Sequence, residues 1–502
     1  MLDAARPTQN TSALSRETAG GLIILSIFIL SRLVFYLQGG AFIATPLAFA
    51  MQYLDPALLK NDLSQSLFYL HSQPPLFNLM LGLVLKLSPV PALSYSLLFK
   101  TAGALIPLAC YGILSAIGVK RLIAVLVTIV FMLNPTLILY ENLLYYSYIE
   151  TFYVVLSLFF LIRWGLDKKL SDLSLFWTFL LCLGLTRSVF HPIFFLVTGA
   201  VITWYLWRRA AAKPLARIFL RSCIIVVIPL ILLCTKNASV FGFFGTSSWE
   251  GMNLWTKVNT FVPEQLEDLH ARGIVSTTAI KAELRAFQPI THYFNAAALK
   301  NILCHCPADC SSNKSTGYPN FNHSGYIIVS QQLLRDALAL IRYEPSQFLF
   351  YTLGSYSLTL WHSSDSVHGL FENNMDVVKK LESVYRFLHF GFMGVESKLD
   401  ARMWERTIVI SILFSIVYIS TILLAFKKDE RISPALMILC IFCLIIHTYT
   451  ISVSSIIEFG ENNRFRFPVD AAFLVMTAGN IVMWSRLRGK RLKSCGADLT
   501  DY

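Results

Sequence analysis

Ionisable and amide side chains in this chain gather in four short stretches, each at the edge of an apolar segment. "QYLDPALLKND" carries Asp55 and Asp62, and "YLHSQPP" carries His71 and Gln73. "NPTLILYENLLYYSYIE" carries Glu141 and Asn142 among tyrosines, and "IEFGENNRFRFPVD" carries Glu458, Glu461, Arg464, Arg466 and Asp470. Lys100 stands in the outer part of a further apolar segment. These types are chemically complementary. A positioned carboxylate can take a proton from an attacking hydroxyl. Cations hold a phosphate, and arginine can do so through two parallel N–H groups. Together they would make a site for group transfer from a phosphate. Each residue also has a plainer reading. Asp55 before Pro56 fits a helix cap, Asp62 a solvated charge, and His71 an interfacial hydrogen-bonder. Glu141 and Asn142 fit an ordinary loop, Lys100 a side chain snorkelling outward, and Arg464 with Arg466 a pair of headgroup anchors. The signal is the convergence of the four stretches on one face.

That face follows from the apolar segments. The chain has 502 residues, of which 55% are hydrophobic and 14% charged, against about 25% charged in soluble domains. Its mean hydropathy is +0.58. This composition excludes a soluble globular protein and specifies a polytopic membrane protein of all-α class. The net charge of +12 comes from basic residues between apolar segments, so it does not indicate nucleic acid. The first twenty residues are polar and an apolar run follows directly, with no small-residue cleavage site after it. This reads as an uncleaved first span. Apolar stretches recur at 21–38, 93–117, 122–140, 144–162, 173–190, 192–207, 218–235, 407–426, 434–457 and 468–485, predicting about ten spans.

The joints between these stretches alternate in charge. One set, from Lys120 and Arg121 to the tail around Arg486 and Lys493, holds 18 basic residues; the other holds five, including Arg187, Arg464 and Arg466. The asymmetry predicts that the first set and both termini are cytoplasmic. All four polar stretches then lie outside. The expected organisation is a transmembrane core over 1–235 with an external loop at 39–92, an extracytoplasmic region over 236–405, and C-terminal spans with a basic tail over 406–502. Pro74 and Pro75 remove two backbone donors and press Gln73 into extended backbone, so a short interfacial helix should start near Pro75. The apolar run 348–361 is too short to span and is expected on the membrane surface or against the bundle. The region 236–405 reads as a small helical cap. It contains "CHCPADC", where a disulfide with one thiol left over is expected ahead of a zinc site, because the fourth ligand is at no standard spacing.

The stretches "LDPALLKNDLSQSLFYLHSQPPLFNLMLGLVLKL", "NPTLILYEN" and "ENNRFRFPVD", with the span layout from about 21 to 486, resemble the membrane glycosyltransferases of the GT-C superfold. The likeness is to the family 39-like group, whose relatives include protein O-mannosyltransferases and the lipid A aminoarabinose transferase. The region 236–405 matches least. The resemblance implies a GT-C-like bundle that uses a polyprenyl-phosphate sugar donor on the external face of a bacterial inner membrane. It further implies direct displacement at the anomeric carbon by an envelope lipid, glycan or protein acceptor. Carried over, Asp55 or Asp62 would be the base, although the acidic pair that relatives place soon after the first span is missing from "GGAFIATPLAF". Glu141 would match an acidic position that in some relatives helps bind a divalent cation. Lys100 would match a basic position near the start of the second span, Arg464 and Arg466 would match the basic pair before the last spans and neutralise the donor phosphate, and His71 and Gln73 would orient the sugar or the acid. A transporter or flippase for a lipid-linked substrate is the alternative. It would call for midplane charges or glycine-broken helices and an internal repeat, which the sequence does not clearly display.

Overall fold

The structure is a computed structural model that describes residues 9–209, 212–259, 263–283, 285–363, 368–388, 403–427, 429–458 and 460–495. Lys428, counted among the basic joints, and the tail beyond Cys495 lie outside the described residues. Among those residues the regular structure is helical, with only two isolated β-bridges.

Among the described residues, seven helices are long and apolar enough to cross a membrane: 18–37, 91–116, 146–167, 213–241, 407–426, 434–457 and 462–488. The helices Arg121–Met132 and Pro135–Glu141 form a bent pair that could serve as an eighth. Two of the ten expected spans are shorter helices, Leu170–Thr186 and Pro192–Trp207, of 17 and 16 residues. At about 1.5 Å rise per residue each falls somewhat short of the ~30 Å hydrocarbon layer. The protein is therefore an all-α polytopic membrane protein. Its lipid-facing surface is legible in the exposed residues of the 213–241 helix (Ile224, Ile225, Ile228, Leu232) and the 403–426 helix (Ile412, Ile416, Ile419, Leu423).

The helix ends are where the sequence requires them. Pro91, Pro192 and Pro434 occupy first-turn positions, where the missing N–H has no partner to lose. The break at 133–134 has a local cause. Asn134 accepts a hydrogen bond from Thr136 N, Pro135 begins a new helix, and the axis turns by 57°. This break delivers Glu141 to the bundle interior.

The two ends of the bundle differ. At one, Arg163 pairs with Asp172 at 3.3 Å, Arg431 donates to Leu487 O, and Arg486 donates to Ile117 O. This is the basic end. At the other sit the first loop, the "YLHSQPP" segment and the cap. The cap has its own apolar core, built from Trp249, Met252, Trp255, Tyr326 and Leu333. The apolar stretch predicted to lie on the surface or the bundle forms the helix Pro345–Thr359, which packs against the 434–457 helix and the short helix Asn462–Arg466. The first transmembrane helix of the C-terminal part is Met403–Phe426, so a boundary at 406 falls inside its first turn.

The cap is fastened at three places. Lys257, fully buried, donates to Ser355 Oγ at 2.7 Å and to the Ser455 and Glu458 carbonyls that close the 434–457 helix. Burial pushes its ammonium down to about 8. The loop around 314–316 clasps the first loop, with Lys314 Nζ on Ala50 O at 2.8 Å and Ser315 on Asp55. Third, Asn322 Oδ1 accepts from both His71 N and Ser72 N, while its Nδ2 donates to Tyr69 O. Asn322 is thus a buried structural amide.

Candidate functional site

The expected short helix after the proline pair runs Leu76–Leu87 with Pro75 at its cap. Before it, residues 71–73 are non-helical, with bends at Ser72 and Gln73, and their side chains part ways. His71 turns toward the cap: its Nδ1 lies 2.8 Å from Ser248 Oγ, and Ser248 N donates to His71 O. Burial pushes the imidazole down to about 3, so it is neutral at physiological pH. Gln73 faces the other way, into a cavity of about 190 Å³ between the bundle and the cap.

Two arginines form the floor of this cavity. Arg187 stands where the 170–186 helix ends, on extended backbone. Arg464 lies in the short helix Asn462–Arg466, which Pro468 then feeds into the last long helix. Both are 5% exposed or less. Arg187 Nη1 donates to Glu150 Oε2 at 2.8 Å, and its guanidinium lies 3.8 Å from the Phe465 ring centroid. Arg464 donates through Nη1 to the hydroxyls of Tyr145 and Tyr146 and through Nη2 to Glu461 at 2.6 Å. Arg187 Nη2, Arg464 Nε and Glu150 Oε1 are buried and have no hydrogen-bond partner among the described residues. Orphaned buried groups of this kind are costly: the two arginine N–H groups lack an acceptor, and Glu150 Oε1 lacks a donor. The rest of the wall includes the aromatic residues Tyr146, Trp249 and Phe287, the amides Gln52 and Asn253, and a second carboxylate, Glu458. Glu461 is 43% exposed at its side chain, against 5% for Arg464, so it is the solvent-facing partner of that pair.

The other anticipated residues lie elsewhere. Glu141 is fully buried, held by Arg32 at 2.6 Å, Lys100 at 2.8 Å and the Tyr148 hydroxyl at 3.1 Å. Gly103 makes this possible, since a Cβ there would meet Glu141 Oε2 at 2.8 Å. Lys100 also donates to Asn142 at 2.7 Å. A carboxylate enclosed by two cations does not fit a divalent metal, so the cation considered for Glu141 has no place here. Lys100 is likewise committed inside the bundle. Arg466 donates to Asp470 at 2.9 Å, Thr359 O and Ser363 Oγ, and does not line the cavity.

The two aspartates anticipated as a base do not reach the cavity either. Asp55 caps the helix Pro56–Asn61 through Ala57 N and also accepts from Ser315 N and Oγ at 2.6 Å each. Asp62 is exposed between two short helices. In "CHCPADC", His305 is tied to Asp309 at 2.8 Å and stacked on Tyr69, while Cys304, Cys306 and Cys310 are free thiols. Among the described residues no group of three or more His, Cys, Asp or Glu is arranged to hold a metal.

Of the expected site residues, then, Gln73 and Arg464 line one cavity. Arg187, Glu150, Tyr145, Tyr146, Trp249 and Asn253 were not anticipated. Arg187 did leave a signal, as the one basic residue at the joint between two apolar segments on the sparsely charged side.

No protein-family model matches the chain, and no curated protein or solved structure matches it either. Fold and site together define a polytopic helical membrane protein with a capped cavity at the end of the bundle opposite its basic end.

Proposed function

We propose that this protein is an integral membrane glycosyltransferase that moves a sugar from a polyprenyl-phosphate donor to an envelope acceptor. The observation that carries this reading is the pair of buried arginines, Arg187 and Arg464, each with a guanidinium N–H lacking a protein acceptor, in one cavity at the edge of the membrane-spanning helices. A lipid phosphate offers oxygens to both, and its prenyl chain can remain among the apolar helices. A leaving phosphate needs preorganised positive charge, which acts strongly in a water-poor site. The aromatic faces of Tyr146 and Trp249 and the amides of Gln73 and Asn253 suit a sugar ring, which presents apolar C–H faces and a rim of hydroxyls.

In this reading Arg187 and Arg464 hold the phosphate, and Gln73 orients the sugar. Glu461 releases Arg464 when the phosphate arrives and takes the proton of the acceptor hydroxyl. That hydroxyl oxygen forms the new bond to the anomeric carbon as the bond to the phosphate oxygen breaks. The base role thus passes from Asp55 or Asp62 to Glu461. The basic end is then cytoplasmic, both termini are inside, and the two short helices and the bent pair complete about ten spans.

The experiment is transfer of a labelled sugar from polyprenyl phosphate by purified protein. A transporter or flippase would instead move the intact lipid between leaflets of proteoliposomes without cleaving it.

A further inference from the structure

A second cavity, of about 390 Å³, opens at the basic end of the bundle, between the end of the 192–207 helix and the turn that joins the 403–426 and 434–457 helices. Its cations are Arg208, Arg209 and Lys427. Of its two carboxylates, Asp429 is taken by Arg431 at 2.6 Å, which leaves Glu430, exposed to solvent, as the remaining negative charge.

The two arginines are held by aromatic rings rather than by carboxylates. Neither side chain has an ion pair or hydrogen bond among the described residues. Each is instead laid on aromatic rings: Arg208 lies 4.8 Å from Trp204 and 5.1 Å from Phe426, and Arg209 lies 5.1 Å from Tyr205. Stacking fixes the plane of a guanidinium and leaves its edge N–H groups to point at a ligand. Beside the cavity, Trp204, Trp207, Ile422, Leu423 and Phe426 are exposed apolar side chains. A ligand here meets cations at its head and a lipid-facing wall along its tail. Orientation by positive charge alone needs neither a cavity nor stacked guanidinium groups.

We propose that this cavity binds the phosphate of an anionic glycerophospholipid, with Arg208 and Arg209 on the phosphate oxygens and the acyl chains against the Trp204–Phe426 wall. A free phosphate ion shares the headgroup chemistry but has nothing to place on that wall.

Native mass spectrometry of the full-length protein in neutral detergent tests this, with phosphatidylglycerol, phosphatidylcholine and inorganic phosphate as probes. The expected result is one tightly retained phosphatidylglycerol, no comparable retention of phosphatidylcholine, and no displacement by inorganic phosphate. Arg208→Gln with Arg209→Gln should weaken retention on the order of tenfold. Lys120→Gln with Arg121→Gln removes the same charge at the same end, outside the cavity, and should leave it unchanged. Equal losses in both double variants would show general surface attraction and overturn the site, as would parent-like retention in the first. Displacement by inorganic phosphate would reassign the cavity to a free ion. If the glutamine pair does not insert, the lysine pair Arg208→Lys and Arg209→Lys keeps the charge and loses the stacked fork. Parent-like retention in that pair would also overturn the proposal.

Discussion

Two arginines two positions apart, Arg464 and Arg466, have opposite fates. Arg466 spends its donors on Asp470, Thr359 O and Ser363, while Arg464 stands at the cavity with Nε unpaired. Arg464→Lys should therefore reduce donor use by about 10²-fold or more, since an ammonium cannot reproduce a fork that holds two tyrosines and a phosphate. The loss should appear in donor saturation or turnover, with membrane insertion unchanged. Arg466→Lys should chiefly lower thermal stability. The reverse pattern in the two kinetic series would assign the phosphate to Arg466. Glu141 is a different case. Glu141→Gln leaves the buried Arg32 and the half-buried Lys100 against a neutral amide, and breaking a buried pair such as Arg32–Glu141 costs about 3–5 kcal/mol. Purified Glu141→Gln should melt well below the parent in detergent, and a parent-like melting curve would contradict the structural role given to this carboxylate. Polar residues at membrane edges made Gln73 and Arg464 legible in the sequence, because their burial requires a reason. Glu141 looked like a site residue for the same cause. Its partner Arg32, inside the first apolar helix, is the kind of intramembrane charge that points to a buried mate, but the pairing spans 109 positions and no local spacing reveals it.

At the level of elements, the proline pair does two jobs. It starts the 76–87 helix, and it presents a non-helical strap to the cap, whose Asn322 reads the His71 and Ser72 amides. The helix start was legible because proline chemistry is local. The strap was not, because its partner lies some 250 residues away in the segment with the weakest pattern. Burial holds the docked His71 near 3, against 6.5 for a free histidine. Below pH 6.5 the undocked chain binds a proton that the docked one does not, so docking stability must fall as pH drops from about 6.5 toward 3. Hydrogen exchange at 69–75 and 319–324 should thus quicken between pH 7.5 and 5.5 after correction for intrinsic rates, and His71→Asn should flatten that dependence. Unaltered protection across this range would show that the imidazole is not enclosed by the cap. Asn322→Ala, which leaves two strap amides without an acceptor, should loosen the same segments at neutral pH by about 1–3 kcal/mol for each buried donor left unpaired.

For the whole molecule, the alternation of charge between joints anticipated two chemically distinct ends, and the helices bear that separation in their contacts. Arg431 and Arg486 cap carbonyls at one end, while Arg187 and Arg464 meet at the other. What composition could not convey is that the cap closes over Arg187 and Arg464, since the cavity needs Trp249 and Asn253 from one region and Gln73 from another. The orientation proposed above rests on the same separation. An impermeant thiol reagent on intact cells should label Asn313→Cys in the cap and spare Ser171→Cys at the basic end, in a background with Cys304, Cys306 and Cys310 replaced by serine. Labelling of Ser171→Cys alone would invert the molecule and remove an external donor site. The most direct test of the cavity itself is a single assay: purified protein, a polyprenyl-phosphate sugar labelled in the sugar, and a membrane extract as acceptor. The parent should transfer label to acceptor and release polyprenyl phosphate, while Arg187→Lys and Arg464→Lys should each lose about 10²-fold or more of that activity with their folds intact. Release and transfer at parent rates in both lysine variants, or donor carried intact across the bilayer with no transfer at all, would contradict a phosphate-gripping transferase site.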